Sequence, residues 1–84
     1  MKTVIKTIDI LNKIRWDSSE SPEKTFIFYL DRISGKLVRV PFLSIKEIGK
    51  SFVTIEKDGK EVEIPIHRIK EIRRDGKLIW VRNL

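Results

Sequence analysis

Residues 59–72 read Gly59-Lys60-Glu61-Val62-Glu63-Ile64-Pro65-Ile66-His67-Arg68-Ile69-Lys70-Glu71-Ile72, and residues 35–48 read Gly35-Lys36-Leu37-Val38-Arg39-Val40-Pro41-Phe42-Leu43-Ser44-Ile45-Lys46-Glu47-Ile48. The two stretches align without a gap at an offset of 24, with eight of fourteen positions identical. Two further positions exchange one apolar residue for another, Val40 with Ile64 and Phe42 with Ile66. Each copy reads as a β-strand ended by a proline, which removes a ladder donor, followed by a short crossing turn. A period of this kind is a structural repeat. The copies differ at one dipeptide inside the turn: Leu43-Ser44 in the first is His67-Arg68 in the second.

Strands flank this repeat on both sides. Residues 52–57 and 60–64 surround Asp58-Gly59, a two-residue hairpin signal. That turn sets Ile55 opposite Val62 and Val53 opposite Ile64, all on one face. A three-residue loop would set Ile55 against Glu61 and turn the apolar set outward. A last hairpin spans about residues 69–82 around Asp75-Gly76, with Ile72 expected opposite Ile79 and Lys70 opposite Val81. Its other face then carries Ile69, Glu71, Arg73, Leu78, Trp80 and Arg82, to be covered by a helix or by a stacked ligand. Upstream, Phe26, Phe28 and Leu30 alternate with Thr25, Ile27 and Tyr29, so both faces carry apolar residues and the strand is central.

Residues 7–16 carry the helical pattern. Ile8, Leu11 and Ile14 recur at helical spacing together with Val4. Thr7 can cap the helix, Asp9 sits near its positive end, and Lys13 and Arg15 lie in the last turn. Residues 2–5 either extend this helix or form a strand. Residues 17–24 are a polar loop, the most mobile segment expected. The expectation is one domain over residues 1–84: helix 7–16, loop 17–24 and a β-rich repeat over 25–82. Its class is α+β, a helix packed on a strongly bent antiparallel sheet of five or six strands, with partial closure into a small barrel as a variant.

Composition narrows the function. The chain has 18 basic and 12 acidic residues, a formal charge of +6, and a pI near 9.8. Such a balance in one small domain favours a polyanion, nucleic acid before membrane. The charged fraction of 36% without cysteine suits a heat-adapted intracellular protein. Lys2, Lys6 and Asp9 interrupt the first apolar stretch, so neither a signal peptide nor a membrane span is expected and the default location is cytoplasmic. One histidine and no cysteine cannot build an ordinary zinc site. There is no phosphate-cradling glycine loop and no Gly-x-Ser-x-Gly elbow. No nucleophile or acid partner for His67 can be named. The expectation is a non-enzyme without metal or cofactor.

Binding chemistry fits the residues better. Arginine presents a planar fork of donors to phosphate oxygens, and a neutral histidine offers one donor and one acceptor. Next to each other on a turn, His67 and Arg68 can hold a phosphate and a ribose oxygen. The alternative is a turn carbonyl for His67 and a glutamate for Arg68. Trp16, Tyr29 and Trp80 are candidate base-stacking rings with arginine support.

Arg15-Trp16-Asp17, Tyr29-x-Asp31-Arg32-x-x-Gly35, Ile64-Pro65-x-His67-Arg68-Ile69 and Gly76-x-x-x-Trp80-x-Arg82 occur in this order. The arrangement resembles the RNA cyclic-group end-recognition domain family over about residues 7–82, with the six residues before Thr7 as an extension. Members of that family occur as small archaeal proteins and, in eukaryotes, joined to 2H-type RNA phosphoesterase domains. The resemblance implies binding of RNA, and of ends carrying a cyclic or terminal phosphate, in RNA repair or processing. It carries over His67, Arg68, Arg32, Trp80, Arg82 and Trp16 as RNA-binding candidates. Two other readings stand beside it. One is an adaptor docking on an RNA-processing or ribosomal protein through a Trp80-Leu78-Ile69 patch. The other is a hydrolase of cyclic phosphate ends working through His67.

Overall fold

The computed structural model describes residues 6–82. One helix, α1 (Thr7–Trp16), is followed by seven strands: β1 (Thr25–Leu30), β2 (Leu37–Pro41), β3 (Ile45–Ile48), β4 (Phe52–Lys57), β5 (Lys60–Pro65), β6 (Ile69–Arg74) and β7 (Lys77–Val81). They form two antiparallel sheets, one ordered β2-β1-β6-β7 and the other β3-β4-β5. The α+β class is therefore as expected, with seven strands in place of five or six. The bending is achieved by splitting the strands between two sheets, and the described residues do not close into a barrel. The conformation of residues 2–5 lies outside the described residues.

The repeat makes the split. The chain leaves the four-stranded sheet after β2 and returns to it at β6. Both crossings use a single 3₁₀ turn, Phe42–Ser44 at the first corner and Ile66–Arg68 at the second. The preceding proline has φ −60° and ψ 137° at Pro41, and −57° and 136° at Pro65. The following isoleucine has φ −74° at both corners, with ψ 121° at Ile45 and 117° at Ile69, and donates its N–H to Phe42 O or Ile66 O respectively. Two corners with the same dihedrals follow from the same Pro-x-x-x-Ile spacing.

Between the sheets lies one core of Leu11, Ile14, Ile27, Val40, Phe42, Val53, Ile55, Ile64, Ile69 and Ile72. Each such side chain contributes about 1.5–3 kcal/mol on burial. The Asp58-Gly59 hairpin has the expected register, Val53 with Ile64 and Ile55 with Val62. Its two turn residues have φ of 53° and 77°, the left-handed pair that matches the twist of the strands.

Three local expectations are corrected. Thr7 is the first helical residue and not the cap; Lys6 stands at the cap without a side-chain bond. Residues 17–24 contain two 3₁₀ turns, Ser18–Glu20 and Pro22–Lys24. Asp17 Oδ1 accepts from Ser19 N at 3.0 Å and Ser19 Oγ at 2.6 Å, so its carboxyl sits below the usual range. Glu20 pairs with Arg74 at 2.7 Å and ties this segment to β6. Third, the last hairpin changes register after Arg73–Leu78: Ile72 pairs with Trp80 and Glu71 with Val81. Ile79 is an extra residue on β7, a β-bulge that rotates everything beyond it by one face.

Equal dihedrals at the corners predict equal costs for losing either proline. Pro41→Ala and Pro65→Ala should each lower stability by about 0.5–1 kcal/mol, through the greater freedom of the unfolded chain. Urea denaturation of the two variants checks this; a severalfold larger loss at one corner would show that the corners are not equivalent.

Candidate functional site

The second corner lies at the edge of the four-stranded sheet where β1 and β7 end and β6 begins. Tyr29 pairs with Ile69, the first residue of β6, so the β1–β2 turn carrying Arg32 projects from the same edge. That turn is tightened by Asp31, whose carboxylate accepts from Ile33 N at 3.2 Å. The Ile33 N–H and then the Ser34 hydroxyl hold the Asp31 carboxyl below its ordinary range. Arg32 itself is exposed.

Arg82 organises this edge from below. Its Nε donates to Ile69 O at 3.1 Å, and its Nη2 donates to Ile66 O at 3.0 Å and Thr7 Oγ1 at 2.7 Å. One guanidinium thus joins both flanks of the His67-Arg68 dipeptide to the first residue of α1. It also stacks at 5.4 Å over the Trp80 ring. Trp80 is half-buried against the core, because the Ile79 bulge brings it onto the Ile72 side of the sheet. The expected face with Trp80 beside Leu78 therefore does not form. Ile69 is fully buried, Leu78 points to the opposite face, and a Trp80-Leu78-Ile69 docking patch is absent among the described residues.

What the clamp leaves available is the dipeptide itself. His67 is exposed and only its carbonyl is engaged, accepting from Lys70 Nζ at 3.3 Å. Arg68 is half-buried, and its Nε is enclosed without a hydrogen-bond partner among the described residues. The glutamate pairing considered for Arg68 is not formed among them. Other cations are engaged: Lys46 with Glu56 and Glu61, Arg73 with Glu71, and Arg74 with Glu20. His67, Arg68 and Arg32 are the candidates whose polar heads remain for a ligand. Arg82 holds the backbone on either side of His67 and Arg68.

Trp16 is elsewhere. It ends α1, with nine residue steps, roughly 13–14 Å of helix rise, separating it from Thr7. It is 79% exposed, with Arg15 at 5.7 Å from its ring. Arg15 Nη2 donates to Lys46 O at 3.1 Å, so this end of the helix stands at the first corner as the other stands at the second. A cavity of about 170 Å³ beside it is lined by Arg15, Pro22, Phe42, Leu43 and Ile45. Leu43, the counterpart of His67, is 67% exposed there. The structure thus gathers five of the six candidates at one edge and sets Trp16 apart.

Among the described residues no three His, Asp or Glu side chains converge as a metal site, and no helix is long and apolar enough to cross a membrane.

A family model described as the MJ1316 RNA cyclic group end recognition domain matches residues 1–82, so the six residues before Thr7 fall within it and are no extension. A UPF0248 protein of Metallosphaera sedula is 36% identical over 74 residues, 88% of each chain. One from Saccharolobus solfataricus is 31% identical over 81 residues, 93% of this chain and 98% of its own. One from Pyrococcus furiosus is 35% identical over 74 residues, 86% of this chain and 82% of its own. No solved structure matches the chain at comparable significance.

Two measurements check the edge. Replacing Arg82 by Lys should cost about 2 kcal/mol, because a lysine cannot reach all three acceptors with charged hydrogen bonds of its own. Thermal denaturation reads the loss. Acrylamide should quench Trp16 strongly in a Trp80→Phe variant and Trp80 weakly in a Trp16→Phe variant. Equal quenching would contradict the placement of Trp80.

Proposed function

Since the chain belongs to the MJ1316 RNA cyclic group end recognition domain family, we propose that it is a non-catalytic module that binds RNA ends carrying a cyclic or terminal phosphate. The observation that carries this reading is the contrast between two corners of one geometry. The first presents Leu43-Ser44; the second presents an exposed imidazole and an arginine whose Nε has no partner among the described residues. Arg68 would face the terminal phosphate with its planar fork, and His67 would hydrogen-bond a ribose or phosphate oxygen. Arg32, projecting from the same edge, would add charge to the approach. Trp80 and Arg82 support the corner from beneath, and Trp16 offers a ring to a base some distance along the RNA. The reading places the protein in RNA repair or processing, with RNA as its partner.

Oligomers of one sequence ending in 2′,3′-cyclic phosphate, 3′-phosphate or 3′-hydroxyl separate the possibilities in fluorescence anisotropy. The phosphate-bearing ends should bind at least tenfold more tightly than the hydroxyl end. His67→Ala with Arg68→Ala should erase that difference while leaving the fold intact. Arg68→Ala alone should also reduce the slope of log affinity against log salt by about 0.7, one single-strand phosphate contact. Equal affinities across the three ends would reject end recognition. Slow conversion of the cyclic end that vanishes with His67→Ala would show a hydrolase instead.

A further inference from the structure

The four-stranded sheet has two faces, and the core uses one. Pairing across β2, β1, β6 and β7 sets Val40, Ile27, Ile72 and Trp80 in one row on the inner side, against Leu11 and Ile14 of α1. The alternate rows must point the other way. One is Pro41, Phe26, Arg73 and Leu78; the next is Arg39, Phe28, Glu71 and Val81. None of these residues belongs to the core cluster or packs against it: Leu78 is 47% and Val81 43% exposed, Pro41 and Arg39 are open to solvent, and Phe26, Phe28, Glu71 and Arg73 are half-buried.

This face has a definite chemistry. Phe26 and Phe28 lie two residues apart on a strand flanked on both sides, about 7 Å from ring to ring by strand rise. Each has an arginine over it, Arg39 at 4.9 Å from Phe26 and Arg73 at 5.9 Å from Phe28. Arg73 is held by Glu71 at 2.9 Å, which also neutralises the one carboxylate on the face. Arg39 has no ion-pair partner among the described residues. A purely apolar face would suit a protein partner. Two aromatic rings braced by guanidinium groups, in a chain of charge +6, suit unpaired bases linked by phosphates.

We propose that the open face of the four-stranded sheet is a second RNA surface, on which Phe26 and Phe28 each stack one unpaired base, Arg39 meets the phosphate between them, and Arg73, held by Glu71, braces the Phe28 ring. The ring spacing is about twice the 3.4 Å repeat of a stacked strand, so the bases are splayed apart and taken one per ring. This rests on the RNA reading above and extends it. The His67 corner leads directly into β6, whose Glu71 and Arg73 lie on the open face, so a strand held by its end at the corner continues across the sheet. The corner reads the end; the sheet holds the unpaired tract behind it, whatever its terminal group.

The test uses the full chain and single-stranded RNAs of two and eight nucleotides with a common 3′-phosphate. The longer RNA should bind at least tenfold more tightly. Phe26→Leu and Phe28→Leu, which keep the apolar bulk but remove the ring, should each weaken the eight-nucleotide RNA by about tenfold, within the range for one stacked base. Arg39→Gln, at an exposed position, should weaken it severalfold without altering the melting temperature. None of the three should change the ratio between phosphate and hydroxyl ends, which belongs to His67 and Arg68. Unchanged affinity for the longer RNA in all three variants, each shown to melt like the parent, overturns the proposal. So does self-association in sedimentation that Val81→Glu abolishes while RNA binding persists, because the face would then serve a second copy. Loss of end discrimination in the parent would remove the corner's role yet leave the length dependence and its Phe26 and Phe28 origin intact.

Discussion

A chain that builds two sheets around one core must cross between them without leaving backbone groups unpaired at the crossing. Here that constraint is met twice by one device. Proline ends the strand at a point where its missing N–H costs nothing, a single 3₁₀ turn changes direction, and an isoleucine N–H closes the turn as the next strand begins. The residues at the corner's outer surface take little part in this. The same dihedrals accommodate Leu43-Ser44 and His67-Arg68, so the corner is a scaffold on which two side chains are free to vary.

The second corner is also the better anchored. Arg82 bonds carbonyls on either side of His67-Arg68 and reaches the first turn of the helix. Such an arrangement separates two duties that arginines in a basic protein are often assumed to share. Arg82 satisfies backbone acceptors and keeps a geometry; Arg68 and Arg32, whose side chains make no hydrogen bond among the described residues, are the ones we propose to meet a ligand. Counting cations overstates how many are available, since Lys46, Arg73 and Arg74 are neutralised internally.

Much of this was legible before the fold was known. The offset repeat located both corners, Asp58-Gly59 fixed the register of β4 and β5, and apolar spacing placed the helix over 7–16. The failures have a common cause. A bulge leaves no sign in composition, so Ile79 shifted Trp80 from the outer face to the core side while Leu78 and Val81, three residues apart, came to share a face. Thr7 looked like a cap because its hydroxyl is suited to one, and a distant arginine took that hydroxyl instead. The pairing of Phe26 with Arg73, and of Phe28 with Arg39, needed strands from three parts of the chain to be placed side by side. Alternation in residues 25–30 marked both faces as apolar without showing which one the helix would leave open.

The helix has one more consequence. Its first residue is tied to the second corner through Arg82, and its last turn is tied to the first corner through Arg15. With Leu11 and Ile14 fixed in the core between these ties, α1 behaves as a strut of set length. The exposed ring of Trp16 and the His67 edge therefore stand at opposite ends of a helix whose rise is roughly 13–14 Å. A flexible surface would let a small ligand draw such groups together. This one acts as a gauge, and only a molecule long enough to span it can touch both ends at once.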